Sequence, residues 1–308
     1  RQGGFLVKVE YAEYSGLSPA EDAEFAILMG LCETADKAST CLGFDAYLNY
    51  DKSMPSYVLA REEGPRGRLV GAATLFAPLR EEAELSACVL PEFRRRGVYR
   101  GLLSEVRGIL SGRGVRRLLY VLDRASASGS SMLAGRGLPL HHSEYSMRFR
   151  PPEAQAGKRG SLPAIELRRA AFSDMDALVA MGASGFGDLP EEARRFIAAH
   201  LESPDREQYI ALSGAGDPAA AAPVAMVSLG RASGGETSIN GLCVAPGRRG
   251  EGFGRAVMAA LLDLLLARGE GPIVLDVDSE NEVAHRLYLS LGFRETQAVD
   301  YYLEELSR

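Results

Sequence analysis

One feature constrains this 308-residue chain before any element is named: it matches itself at a fixed offset of 155 residues. Cys88-Val89-x-Pro91-x-x-Arg94 returns as Cys243-Val244-x-Pro246-x-x-Arg249. Gly97 falls on Gly252, Arg100 on Arg255, Arg113-Gly114 on Arg268-Gly269, and Gly137 on Gly292. The offset holds without net insertion and is domain-sized, far longer than a solenoid repeat. Two copies of one domain are therefore expected, at 1–150 and 163–308. Residues 151–162, which include Pro151, Pro152, Gly157, Gly160 and Ser161, have the composition of a linker.

Composition narrows the class. Hydrophobic residues at 46% and charged residues at 25% suit a soluble globular chain and exclude a disordered or fibrous one. The longest apolar stretch, Val257 to Ala267, is broken by Asp263 and is too short to span a bilayer, so no membrane partner is expected. No charged-then-apolar leader opens the sequence, which makes the cytoplasm the expected location. Cys32, Cys41, Cys88 and Cys243 show neither CxxC spacing nor a paired framework, and four histidines are few for a zinc site. Reduced thiols and no metal are expected. A net charge of −6 argues against a nucleic-acid partner. The local exception is 91–117, where eight arginines stand against Glu92 and Glu105. That segment is either an anion site or a solvated helix face.

Hydrophobic periodicity gives the second copy a strand at Ala164–Leu167, then helices at Ser173–Ala183, with Ser173 as N-cap, and Pro190–Leu201. Strands follow at Tyr209–Leu212, Val224–Leu229 and Ser238–Val244, with a flexible hairpin loop at Gly214–Pro218 and the alanines after it. A long helix from Gly252 to Arg268 leads to a buried strand at Pro272–Val277. A helix over Asn281–Leu291 is stopped by Gly292, and Thr296–Leu303 closes the copy as a strand. The first copy repeats the order at Tyr57–Ala60, Leu69–Phe76, Ala83–Val89, Val98–Ser111, Arg117–Leu122 and Ser128–Ala134. The expected fold class is α/β in the α+β sense: tandem domains, each a mixed, mostly antiparallel sheet flanked by helices.

The strand ending at Val244 runs through Pro246-Gly247-Arg248-Arg249-Gly250-Glu251-Gly252-Phe253-Gly254-Arg255 into a helix. Strand, glycine-rich turn and helix start form a pyrophosphate site: glycines admit close backbone approach, several N–H groups converge, and the helix dipole favours an anion. Here the sequence resembles the GNAT superfamily of acyl-CoA-dependent N-acetyltransferases. Its Arg/Gln-x-x-Gly-x-Gly/Ala turn is met by Arg249, Gly252 and Gly254. Its later Asn-x-x-Ala-x-x-Leu-Tyr-x-x-x-Gly-Phe pattern is met by Asn281, Ala284, Leu287, Tyr288, Gly292 and Phe293.

The resemblance implies two tandem GNAT-like domains, with two neighbouring strands splayed around the pantetheine arm of acetyl-CoA. Leu242, Cys243 and Val244 then offer backbone groups to its amides, as in strand addition, and one N–H polarises the thioester carbonyl. Arg249, Gly250, Gly252, Phe253, Gly254 and Arg255 are implied cofactor contacts, while Arg248 reads as surface charge. Asn281 is a cofactor contact, an ordinary N-cap, or both. Tyr288 is implied as the catalytic proton donor to the departing thiolate; the alternative is an aromatic packed in the core. The family often carries a carboxylate near the position of Asn240, which cannot accept a proton usefully. Glu236, Asp276, Asp278 or a water chain stay open as base. Cys243 lacks a partnered base and reads as core-facing.

The first copy departs at two positions, Tyr99 in the slot of Gly254 and Leu133 in that of Tyr288. Without the phenol it is degenerate: a scaffold, or a holder of a CoA-like phosphate through Val89, Arg94 and Gly97. His141 and His142, adjacent on a closing strand, are expected on opposite faces, which argues against a shared metal. The expectation is direct acetyl transfer from acetyl-CoA to a primary amine of a small-molecule acceptor, performed by the second domain of a monomer or homodimer. The rival is a non-catalytic acyl-CoA-binding regulator.

Overall fold

The computed structural model describes residues 8–306 apart from 45, 66, 152–161, 215–220 and 233–234. Most of the expected linker and of the hairpin loop after Gly214 lie outside the described residues. The chain packs into two compact units, Arg1–Glu144 with Gln297–Arg308, and Tyr145–Thr296.

The first unit opens with β1 (Val9–Tyr14) and α1 (Pro19–Asp36). A capping box starts α1: Ser18 Oγ accepts from Glu21 N, and Glu21 Oε2 accepts from Ser18 N at 2.8 Å. Then come β2 (Tyr57–Glu62), β3 (Leu69–Phe76), β4 (Glu82–Val89), α2 (Val98–Leu110), β5 (Arg117–Asp123) and α3 (Ala127–Ala134). The strands run β1-β2-β3-β4-β5 in the sheet, antiparallel except for β4 beside β5. That pair is parallel because α2 crosses over between its strands. Val98, Leu102, Val106, Ile109 and Leu110 give α2 its buried stripe.

After β6 (Leu140–Phe149), the second unit repeats the plan with β7 (Ile165–Arg169), α4 (Met175–Phe186), α5 (Pro190–Glu202), β8 (Arg206–Ser213), β9 (Ala222–Ala232) and β10 (Glu236–Val244). Next are α6 (Phe253–Ala267), β11 (Ile273–Asp278), α7 (Glu282–Leu291) and β12 (Phe293–Glu305). Its strands run β6-β11-β10-β9-β8-β7, with β10 and β11 parallel around the α6 crossover. Phe253, Val257, Leu261 and Leu265 of α6 pack on Ile273, Leu275 and Val277 of β11. The opposite face of this sheet carries a smaller core, where Met226 and Cys243 meet Leu178 and Met181 of α4.

The compact units do not coincide with the chain halves 1–150 and 163–308. From Tyr145 onward β6 belongs to the second unit, where Met147 is fully buried in its core. From Gln297 onward β12 belongs to the first unit, pairing antiparallel with β5 from Val299↔Asp123 to Glu305↔Arg117. Asp300 anchors it by accepting from Arg124 at 2.6 Å and from Ser143 Oγ at 2.7 Å. Glu304 accepts from Arg107, Tyr120 and Arg136. Each unit is thus closed by a strand from the other copy's sequence. A repeat gives the order of strands along a chain but not which sheet a closing strand joins, and identical elements exchange at low cost.

Two local expectations are corrected. Ser173 lies within a 3-10 turn, Phe172–Asp174, and the N-cap of α4 is Asp174, whose carboxylate accepts from Ala171 N and pairs with Arg168. His141 and His142 do not diverge: their Nδ1 atoms are 2.8 Å apart, and His142 stacks on Tyr301 with ring centroids 4.1 Å apart. Both lie within β6, and the stack of His142 on Tyr301 holds its ring where the His141 imidazole reaches it. Among the described residues no group of three or more metal-ligating side chains occurs, and no helix is long and apolar enough to cross a membrane.

Removing Gln297–Arg308 should destabilise the first unit by more than about 4 kcal/mol, because it strips a whole strand and leaves Arg124 and Arg107 without their carboxylates. Chemical denaturation would detect this. An unchanged midpoint would mean that β12 is dispensable there.

Candidate active site

The site is set by a ladder that stops. β10 and β11 pair only at Thr237↔Ile273, Ser238↔Val274 and Ile239↔Leu275, yet β10 continues to Val244 and β11 to Asp278. From Asn240 onward the β11-facing edge of β10 has no strand partner among the described residues, and its backbone groups are available to another chain-like molecule. Against β9 the register slips between Asn240↔Ser228 and Cys243↔Met226, so Gly241 and Leu242 oppose a single residue. Gly241 has φ +61°, which only glycine adopts cheaply. This bulge re-aims the amides that lead into Leu242, Cys243 and Val244. Sequence reasoning missed it, although a glycine within a strand run was the available signal.

Beyond Val244 the chain makes a 3-10 turn, Pro246–Arg248, and then takes left-handed conformations at Gly250 (φ +79°) and Gly252 (φ +88°). Gly252 is the N-cap of α6, and no side chain caps the helix. The first intrahelical bond is Ala256 N to Gly252 O, so the N–H groups of Phe253, Gly254 and Arg255 stand free at the positive end of the helix dipole. A Cβ at Gly254 would make ordinary van der Waals contact, 3.6 Å from both Leu287 of α7 and Val244 of β10. Arg249 Nε donates to the Val244 carbonyl at 3.2 Å, and Arg255 donates to Ser290 Oγ at 2.7 Å. Arg248 stacks over the Phe253 ring and pairs with Glu251.

Tyr288 on α7 is buried edge-on to Phe293, with centroids 5.9 Å apart. Burial pushes its phenol up to about 12, so it stays protonated at neutral pH. Asn281 caps α7, its Oδ1 accepting from Ala284 N at 3.1 Å. Cys243 faces the α4 core and donates to the Met181 carbonyl at 3.2 Å, with burial raising its thiol. That is the inert environment of a structural thiol. Among the base candidates, Glu236 is tied to Arg148, and Asp278 accepts from Glu280 N at 2.7 Å as a turn cap. Asp276 accepts from Ser146 Oγ at 2.6 Å, and desolvation raises its carboxyl. Asn240 donates to Ser238 Oγ at 2.9 Å.

The first unit repeats this arrangement with differences. β4 and β5 pair from Glu82↔Arg117 to Leu85↔Tyr120 and then part, but β4 keeps regular register with β3 to Val89, without a bulge. A cavity of about 590 Å³ opens in the parting, lined by Ala87, Cys88 and Val89 on one side, Val121 and Leu122 on the other, and Arg94, Gly97, Tyr99 and Arg100 at the turn. Gly97 (φ +92°) is an uncapped N-cap like Gly252. Arg95 holds φ +60° where the second copy has Gly250, a strained choice for a residue with a side chain. Arg94 is committed to Asp36 by two bonds of 2.7 and 2.9 Å while its Nε donates to the Val89 carbonyl. It staples α1 to the turn.

Two stretches of the chain, 28–128 and 175–293, match the model of the acetyltransferase (GNAT) family. The chain is 29% identical over 294 residues to a mycothiol acetyltransferase of Clavibacter michiganensis subsp. michiganensis, covering 89% of this chain and 90% of that protein. A GCN5-related N-acetyltransferase from Sphaerobacter thermophilus superposes with a TM-score of 0.74 at 18% identity, over 96% of this chain and 95% of the other. A tandem GNAT protein from the clavulanic acid biosynthesis pathway does so with a TM-score of 0.71 at 16% identity, over 98% and 99%.

The backbone angles make a stability test. Gly252→Ala should cost about 1–2 kcal/mol, the penalty of a left-handed side-chain residue. Arg95→Gly should stabilise by no more than about 1 kcal/mol, relief of strain being partly offset by glycine's entropy. Denaturant midpoints of the two variants, moving in opposite directions, would bear this out.

Proposed function

The chain belongs to the acetyltransferase (GNAT) family and is an acyltransferase, and on that premise we propose that its second copy moves an acetyl group from acetyl-CoA to a primary amine by direct attack. One observation carries the reading: the parting of β10 and β11 runs from the bulge at Gly241 to the uncapped start of α6. The donor's chemistry fits that track. Phosphates suit the free N–H groups of Phe253, Gly254 and Arg255, amides suit the open edge of β10, and the re-aimed amides by Leu242 suit a carbonyl that gains negative charge. Arg249, Gly250 and Asn281 shape the turn and the helix beside it.

Nitrogen attacks the thioester carbon, the C–S bond breaks, and the electron pair leaves on sulfur. Tyr288 serves the sulfur mainly as a hydrogen-bond donor. A phenol at about 12 facing a thiolate near 8.5 would lose its proton at a cost of about 5 kcal/mol. The lasting proton on sulfur therefore comes from the attacking nitrogen, relayed by the hydroxyl. The acceptor is a small molecule, and likeness to proteins named mycothiol acetyltransferases supports one related to mycothiol.

The first copy holds coenzyme A without transferring from it. Its cavity lies in the equivalent parting, while Leu133 replaces the phenol and no bulge re-aims the amides. The protein acts as a monomer or a homodimer in the cytoplasm.

Release of thiol from acetyl-CoA, measured with a panel of aminosugars, polyamines, amino acids and thiol-bearing amines, tests the transfer. Tyr288→Phe should lower kcat by about 10²-fold or more with little change in KM for acetyl-CoA. Ionisation of Tyr288 should reduce wild-type activity only as pH approaches about 12. Tight binding with no turnover on any amine would favour the regulator instead. Calorimetry should register two coenzyme A molecules per chain; a single one would leave the first copy as scaffold.

A further inference from the structure

The reaction needs an acceptor for the proton of the incoming ammonium, and the position where the family often has a carboxylate holds Asn240. The opposite wall of the gap supplies one. Ile239↔Leu275 is the last pair of the parallel ladder, so Asn240 and Asp276 are the first residues on either side of the opening. Side chains alternate along β11: Leu275 and Val277 enter the core under α6, which turns Asp276 to the other face. Asn240 shares that face, because its partner Ser228 lies two residues from Met226, which packs against α4. The thioester carbonyl, read as sitting by the bulge, and the Asp276 carboxyl thus border one space.

We propose that Asp276 takes the proton from the incoming ammonium at the mouth of the gap between β10 and β11. The assignment rests on the transfer reading above. Asp276 Oδ1 accepts from Ser146 Oγ of β6 at 2.6 Å, which fixes the carboxyl and leaves Oδ2 for the substrate. Its side chain is exposed to solvent. The neighbouring charges are already committed: Arg148 of β6 pairs with Glu236 of β10, and Asp278 of β11 caps its turn. Ser238 and Asn240 of β10 are neutral and bonded to one another. Among the described residues, the influences that set the Asp276 carboxyl are desolvation and the Ser146 hydrogen bond, with no charge partner among them. Desolvation, the larger influence, lifts its carboxyl above the ordinary range, and the Ser146 bond offsets part of that. A carboxylate so raised is a stronger base than an ordinary one.

The protons balance. One N–H bond of the ammonium breaks and its proton goes to Asp276, freeing the nitrogen lone pair for attack. The adduct nitrogen loses a second proton, which replaces the one handed by Tyr288 to sulfur. Asp276 then releases its proton to water. Ammonium and thioester become amide, thiol and one free proton.

The test compares wild type with Asp276→Asn and Asp276→Glu on the panel amine turned over fastest. With an amine that is ammonium at neutral pH, Asp276→Asn should lower kcat by about 10²-fold and leave KM for acetyl-CoA unchanged. The loss should shrink as pH rises and free amine accumulates. A fluorinated analogue of the same amine, already free base at neutral pH, should be acetylated equally by both proteins. Asp276→Glu should restore part of the rate. Calorimetry without donor should show weaker amine binding to Asp276→Asn and unaltered coenzyme A binding. An active wild type with an equally active Asp276→Asn on the ammonium form overturns the assignment alone. A wild type that turns over no amine overturns the transfer reading, and this with it.

Discussion

Unspent hydrogen-bonding capacity in one parallel ladder organises the second unit. β10 and β11 are joined for three residue pairs and then separate, although both strands continue. Backbone N–H and C=O groups left in such a gap are costly unless something pairs with them. A ligand rich in amides is the natural partner, and the gap points it at a helix start whose own N–H groups lack a cap. The turn is shaped by two left-handed glycines rather than by contacts among its arginines.

The two copies share a frame and differ at a handful of positions in it. Both have the parted ladder and both have an uncapped glycine before the long helix. The second adds Gly241, the bulge and a buried phenol, whereas the first has Ser86, regular register and Leu133 at the equivalent positions. Arg94 and Arg249 share a bond from Nε to the end of the preceding strand, but only Arg94 is clamped to an acidic partner, Asp36. The first turn is thereby rigidified at the expense of a free cation. These differences rest on few substitutions, and each changes a backbone direction or a proton inventory rather than the fold.

Much of this architecture was legible in the sequence. Leu69–Phe76 is an apolar run interrupted only by Thr74 and became β3 residue for residue; Gly292, at φ +104°, ends α7 as its position after Leu291 implies. The repeat located the turn, and the family pattern located Tyr288 and Asn281. β1 and α1 went unread because α1 is mostly exposed, burying only Phe25, Leu28 and Cys32, which leaves a weak amphipathic signal. The Ser173 error came from a 3-10 turn that delays α4, a choice enforced by the Asp174–Arg168 pair, which spans separate elements. The bulge depended on register, and register is a property of two strands at once. The salt bridge that occupies Arg94 joins residues 58 apart, beyond the reach of any local pattern.

The crossed closing strands bear on how such a chain can change over generations. A gene shortened to either copy would encode a sheet lacking its last strand and a surplus strand with no sheet to enter, and exposed edges of that kind invite aggregation. Loss of the copy without the phenol would remove β6 from its neighbour's sheet, whatever became of its own pocket. On the proposed division of labour, a pocket that turns over no substrate yet is shielded from deletion is the part of the molecule at liberty to acquire a new ligand.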